Sequence, residues 1–150
     1  MRERTRDEAA ASLAECRRQL ALEEKELAAR EQAVADCRQA QTKTQTEMLD
    51  KGSGGIRNAE MMLYQRHLFD LREREKELLT AVEEQKSTVE RAAAEVENAL
   101  VALGEASREV RVIEKHRENW QRERRVEATR GEQKINDEIG ATLHGRGESE

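Results

Sequence analysis

The residues of this 150-residue sequence that could do chemistry are few and widely separated. Its histidines are His67, His116 and His144, and its cysteines are Cys16 and Cys37. None of them stands at metal-ligand spacing from another. The two cysteines are 21 residues apart. On one helix that is about 31 Å, too far for a disulfide within the chain. They read as two small buried thiols in a reducing cytosol. The stretch Gly52-Ser53-Gly54-Gly55 is rich in glycine, but no Gly-Lys-Ser/Thr follows, so it is not a phosphate-binding loop. Carboxylates are plentiful, yet without a cleft to desolvate them they remain a solvated face. Glu26 with Arg30, and Glu118 with Arg122, have i,i+4 spacing and support a helix by a few tenths of a kcal/mol each. No catalytic, cofactor or metal residue is expected, and the chain reads as a binding protein rather than an enzyme.

The elements that would position any functional residue follow from composition. Charged residues make up 39%, aromatics 2%, and proline is absent. Phe69, Trp120 and Tyr64 cannot fill a compact core of normal size. Abundant Ala, Glu, Arg, Leu, Lys and Gln favour long helices instead. The break is Lys51-Gly52-Ser53-Gly54-Gly55. Gly52 suits a left-handed helix C-terminus after the cation Lys51, and Asn58 is a candidate N-cap for the next helix.

Before the break, Leu13, Leu20, Leu27 and Val34 recur every seven residues, extended by Gln41 and Met48. Ala14, Ala21, Ala28 and Ala35 form the adjacent column. Cys16 and Cys37 share the first face, but Glu23 and Arg30 interrupt their column with polar groups. The run Thr42 to Thr46 is a poor helix former. After the break, with Met61 as position a, the a column runs from Met61 through Leu68, Val82, Val96 and Val110 to Arg117. The d column runs from Tyr64 through Leu71, Leu78, Ala92 and Ile113 to Trp120. Only Glu75, Gln85 and Arg117 are polar along these two columns. A 3-4 spacing sustained this long is a coiled-coil signature.

The expected fold is therefore all-α: two long helices in an antiparallel coiled-coil hairpin, the second longer than the first. The expected boundaries are helix one over about 5–50, a turn over 51–57, helix two over about 58–138, and a flexible polar tail over 141–150. With the turn centred near residue 53, Val34 faces Leu71 to Glu75 and Met1 reaches only Ala106. Val110, Ile113 and Trp120 then continue the seam of helix two without a partner, which marks a candidate binding surface. Met62 and Phe69 share position b, outside the seam, and form a second candidate surface near the turn.

The net charge of −5 comes from 27 basic and 32 acidic residues, a balance that argues against nucleic acid and against a polybasic membrane anchor. The longest apolar run, Ala99 to Leu103, is far too short for insertion into a membrane. The N-terminus has no apolar segment of the kind a signal peptide needs. Locally, Arg111 to Arg130 is basic, with seven cations against four carboxylates, and suits an acidic partner surface.

Two stretches carry a resemblance. The first is Asn58-Ala59-Glu60-Met61-Met62-Leu63-Tyr64-Gln65-Arg66-His67-Leu68-Phe69-Asp70-Leu71. The second is Trp120, then Glu127, then Gln133-Lys134-Ile135-Asn136-Asp137-Glu138. With the length, charge and hairpin pattern, these resemble the FliJ/YscO family of stalk proteins in flagellar and injectisome type III secretion systems. The resemblance implies a cytoplasmic stalk, peripheral at the secretion apparatus. Its terminal end would enter a hexameric secretion ATPase, and its opposite end would reach the export gate protein, with substrate chaperones as further partners. It places ATPase contacts at Val110, Ile113, Trp120, Arg124 and Arg125. It places gate contacts at Met62, Tyr64, Phe69 and Leu71. The alternative from the residues alone is a structural scaffold or tether that pairs with a second copy through Val110 to Trp120.

Overall fold

The computed structural model describes residues 1–55 and 57–148. Helix α1 spans Arg2–Ser53 and helix α2 spans Asn58–Glu148. No strand occurs among the described residues. The two helices pack against each other as the expected antiparallel hairpin, α2 with 91 residues against 52 in α1. Each helix carries an acidic residue in its first turn, Glu3 and Glu60, and Lys51 lies in the last turn of α1. These charges oppose the partial charges of the helix ends. The threonine run is helical despite its poor propensity: Thr44 is buried in the seam, and the hydroxyls of Thr42, Thr44 and Thr46 are each satisfied by the carbonyl four residues earlier.

The turn is later and tighter than expected. α1 continues through Gly52 and Ser53, with the Gly54 amide donating to the Lys51 carbonyl at 3.2 Å. The left-handed glycine is Gly55, at φ 84°, rather than Gly52. The Arg57 carbonyl accepts the first α2 bond, from the Met61 amide at 3.0 Å, so Asn58 already lies inside the helix and Arg57 takes the cap position. Of the expected turn, Ile56 lies outside the described residues.

This displacement sets the cross-hairpin pairing. Gln85 donates to Glu23, and the Cys37 thiol donates to the Leu71 carbonyl at 3.3 Å. Arg30 lies midway between Glu23 and Cys37, and Leu78 midway between Gln85 and Leu71. Arg30 is thus about opposite Leu78, and Val34, one turn on, is about opposite Glu75, at the far end of the expected span. The longer arginine side chains reach further along α2, Arg30 to the Ala81 carbonyl at 2.9 Å and Arg38 to Glu75 at 2.6 Å.

By its contacts the chain divides into two units, Glu8–Leu103 and Met1–Asp7 with the chain from Gly104 onward. In the first, the buried apolar residues include Leu13, Val34, Cys37, Leu68, Val82, Ala92 and Val96. On α1 the buried and half-buried positions alternate by three and four, through Leu13, Cys16, Leu20, Glu23, Leu27, Arg30, Val34 and Cys37. Ala14, Ala21, Ala28 and Ala35 face solvent. On α2 every seam position from Met61 to Leu103 is buried or half-buried, including Glu75 and Gln85. Each fully buried Val or Leu contributes about 1.5–3 kcal/mol, so a single stripe suffices where no three-dimensional core exists.

In the second unit, Ala106 and Val110 are buried and Ile113 is half-buried. Met1, Arg2 and Glu3 line a groove with Val110, Ile113, Glu114 and Arg117. The expectation that Val110 and Ile113 lack a partner within the chain is therefore overturned. α1 begins at Arg2 and the fold-back lies later in the sequence, so Met1 reaches Val110 rather than stopping at Ala106. From Glu114 to Gly145 every residue is exposed, yet α2 stays helical to Glu148. α2 thus runs past its expected end near 138, and residues 149 and 150 of the expected tail lie outside the described residues. Gly131, Gly140 and Gly145 are isolated, and each costs a helix only about 1 kcal/mol relative to alanine.

Candidate functional site

Two surfaces gather the residues suited to binding. The first lies next to the turn. Met62 is 68% and Phe69 61% exposed, on a helix whose other outward residues are largely charged. Heptad position b places both side chains away from the seam, where packing against α1 cannot cover them. Leu49 and Leu63 are also exposed large apolar residues here. Lys51, Glu60, Leu63, Tyr64 and His67 line one shallow groove. The Lys51 ammonium lies 5.2 Å from the centre of the Tyr64 ring. A hydrogen bond to the Tyr64 hydroxyl, and then the charge of that hydroxyl when ionised, raise the Lys51 pKa above its ordinary value.

Not every expected gate contact is equally presented. Tyr64 and Leu71 are half-buried seam residues. The Leu71 carbonyl accepts a bond from the Cys37 thiol at 3.3 Å. Tyr64 still opens onto the groove, whereas Leu71 serves the pairing of the helices.

The second surface is α2 beyond Ile113. Trp120 is 57% exposed, and the Arg124 guanidinium lies 4.9 Å from the centre of its ring. One turn of helix separates the two residues, so the stack forms without any tertiary contact. Arg125 is exposed and lines a shallow surface with Glu118, Gln121 and Arg122. The expected ATPase contacts thus separate into two kinds. Trp120, Arg124 and Arg125 are presented outward, while Val110 is 4% exposed and Ile113 is half-covered.

Sequence reasoning missed Leu49, Leu63 and His67 near the turn, and Val126, Ile135, Ile139 and Leu143 on α2. The last three stand four residues apart and line one groove with Glu138 and Thr142. That four-residue spacing was the available signal, masked because these residues fall outside the a and d columns. Among the described residues no group of three or more His, Cys, Asp or Glu side chains is placed to hold a metal. No helix among them is long and apolar enough to cross a membrane.

Fold and surfaces define the class: an all-α coiled-coil hairpin that presents exposed side chains along a helix rather than an enclosed pocket. The chain belongs to the YscO-like protein family, whose match runs over residues 1–148. Among solved structures it is similar to CT670 of Chlamydia trachomatis, described as a candidate YscO homologue. The two share 25% identity and a TM-score of 0.84 over 99% of this chain and 92% of that one. No curated protein matches the chain. The family is one of structural proteins linked to type III secretion, not a known enzyme family.

Proposed function

We propose that the protein is the central stalk of a type III secretion export apparatus, held in the bacterial cytoplasm and peripheral to the membrane machinery. In this reading the far end of α2 enters the hexameric export ATPase and the turn end meets the export gate. Substrate chaperones are further candidates for binding.

The observation that carries the reading is the distribution of apolar residues on α2 beyond Ile113. Taking Trp120 as zero, Ile135, Ile139, Leu143 and Val126 lie at about 60°, 100°, 140° and 240° around the axis, at 100° per residue. A helix that docks along one groove needs one apolar stripe. A helix with apolar groups around most of its circumference, all exposed, suits a partner that surrounds it. A ring-shaped ATPase is such a partner. The basic balance of Arg111 to Arg130, with Arg124 held on Trp120, suits an acidic lining.

Calorimetry against the hexameric secretion ATPase tests the reading. Binding that weakens on Trp120→Ala, with helicity unchanged, supports it, and unchanged affinity overturns it. The scaffold alternative predicts instead a stable dimer at micromolar concentration that is lost on Ile113→Asp. Sedimentation separates the two.

A further inference from the structure

The apolar seam does not by itself choose how α1 and α2 align. Both helices repeat every seven residues, so α1 could slide one heptad toward the turn and still place apolar residues on apolar residues. The glycine run makes that slide cheap, since only Lys51, Gly52 and Ser53 would need to unwind. Local turn signals even favour the slid alignment, because Lys51-Gly52 is the stronger helix-stop signal in the sequence.

The polar groups of the seam are of two kinds. Arg30 donates to the Ala81 carbonyl and Cys37 to the Leu71 carbonyl. Every residue carries a carbonyl, so these bonds would be remade after a slide. The others join particular side chains. Gln85, 4% exposed, donates to the Glu23 carboxylate and, at 2.9 Å, to the Glu23 carbonyl. Glu75 accepts from Arg38 at 2.6 Å and from Gln41 at 3.3 Å. After a one-heptad slide Gln85 would face Cys16 and Leu20, and Glu23 would face Leu78 and Val82. Glu75 would face Glu31 and Val34. Buried polar groups left without partners are strongly penalised, and a single polar pair in a coiled-coil seam can fix alignment.

We propose that Glu23 with Gln85, supported by Glu75 with Arg38 and Gln41, is a register lock that selects one alignment of α1 on α2. The lock decides which residues of α2 lie beneath α1 and which are left to partners. It does not depend on the identity of those partners.

Disulfide trapping tests the lock. Leu20 lies one turn before Glu23 and Val89 one turn after Gln85, both at seam positions. In a Cys16→Ala/Cys37→Ala background, Leu20→Cys/Val89→Cys therefore reports the observed alignment and Leu20→Cys/Val82→Cys the slid one. One heptad is about 10 Å along a helix, beyond the reach of a disulfide, so the two pairs discriminate cleanly. With the lock intact only the first pair should oxidise readily. Adding Glu23→Leu/Gln85→Leu, which keeps an apolar seam and helicity, should speed oxidation of the second pair at least tenfold. The exchanged pair Glu23→Gln/Gln85→Glu, which keeps the side-chain hydrogen bond and gives up only the bond to the carbonyl of residue 23, should leave the second pair slow. The lock is overturned if the leucine variant does not speed the second pair, or if the exchanged variant does.

Discussion

Arg38 donates to Glu75 across the hairpin at 2.6 Å, although the two residues lie 37 positions apart in the chain. The Glu75 side chain is 22% exposed and also accepts from Gln41. The Arg38 bond first, and the Gln41 bond second, hold the carboxyl below its ordinary value of 4.5. A carboxyl whose pKa is depressed on folding stabilises the fold above its unfolded value. That stabilisation is lost as pH falls from 4.5 through the folded value. Thermal melts followed by circular dichroism should therefore show a midpoint that drops on acidification below 4.5. In Glu75→Gln the drop should be smaller. An equal drop in both proteins would remove Glu75 as the source.

Val110 and Val101 lie on the same helix, nine residues apart, but only Val110 is buried, at 4% exposure. Val110→Asp should destabilise the hairpin by about 2–4 kcal/mol, since a carboxylate would replace a buried apolar side chain in the seam. Val101→Asp should stay within about 0.5 kcal/mol of the parent. Denaturant unfolding of the two variants measures the contrast directly.

Trp120 is largely exposed and stacks with Arg124 of its own helix, so its loss should not alter the fold. Truncation of an aromatic anchor in an interface typically costs about 2 kcal/mol or more. That corresponds to a rise in Kd for the ATPase of about 30-fold in Trp120→Ala. The charge-reversal Arg124→Glu should weaken binding as well, with a stronger dependence on salt than Trp120→Ala shows.

At the turn, Phe69→Ser and Met62→Ser should leave the melting midpoint within error, because both side chains are exposed. If this surface meets the export gate, each should reduce capture of the isolated gate domain severalfold. Leu71→Ser should instead lower the melting midpoint, because Leu71 belongs to the seam.

The stretch from Glu118 to Gly145 is helical with every residue exposed. Its amides depend on local hydrogen bonds alone, which open far more readily than those of a packed seam. Amide exchange at Ile135 in the isolated protein should be at least tenfold faster than at Val89, and slower once a partner is bound. Equal protection at the two positions would show that something other than a partner stabilises this end.

Helix content, the hairpin, the greater length of α2 and the seam columns were all legible in the sequence. Each rests on interactions within a few residues: side chains repeating every seven positions, good helix formers throughout, and one glycine-rich break. The exposure of Met62, Phe69 and Trp120 was legible too, although Trp120 was expected as a seam residue. Its exposure comes from the end of α1, not from its own column.

The alignment of the helices was not legible. Whether Gly52 or Gly55 turns the chain moves every pairing along α2 by a few residues, and no local pattern chooses between them. Only the assembled hairpin brings Gln85 to Glu23, 62 residues away, and Arg38 to Glu75. The sequence by itself determined which faces of the two helices are apolar, because that is a local periodicity. The tertiary structure decided how far one helix is drawn along the other. That choice buried Val110, left Trp120 exposed, and paired the polar residues of a seam that looked defective when each helix was read alone.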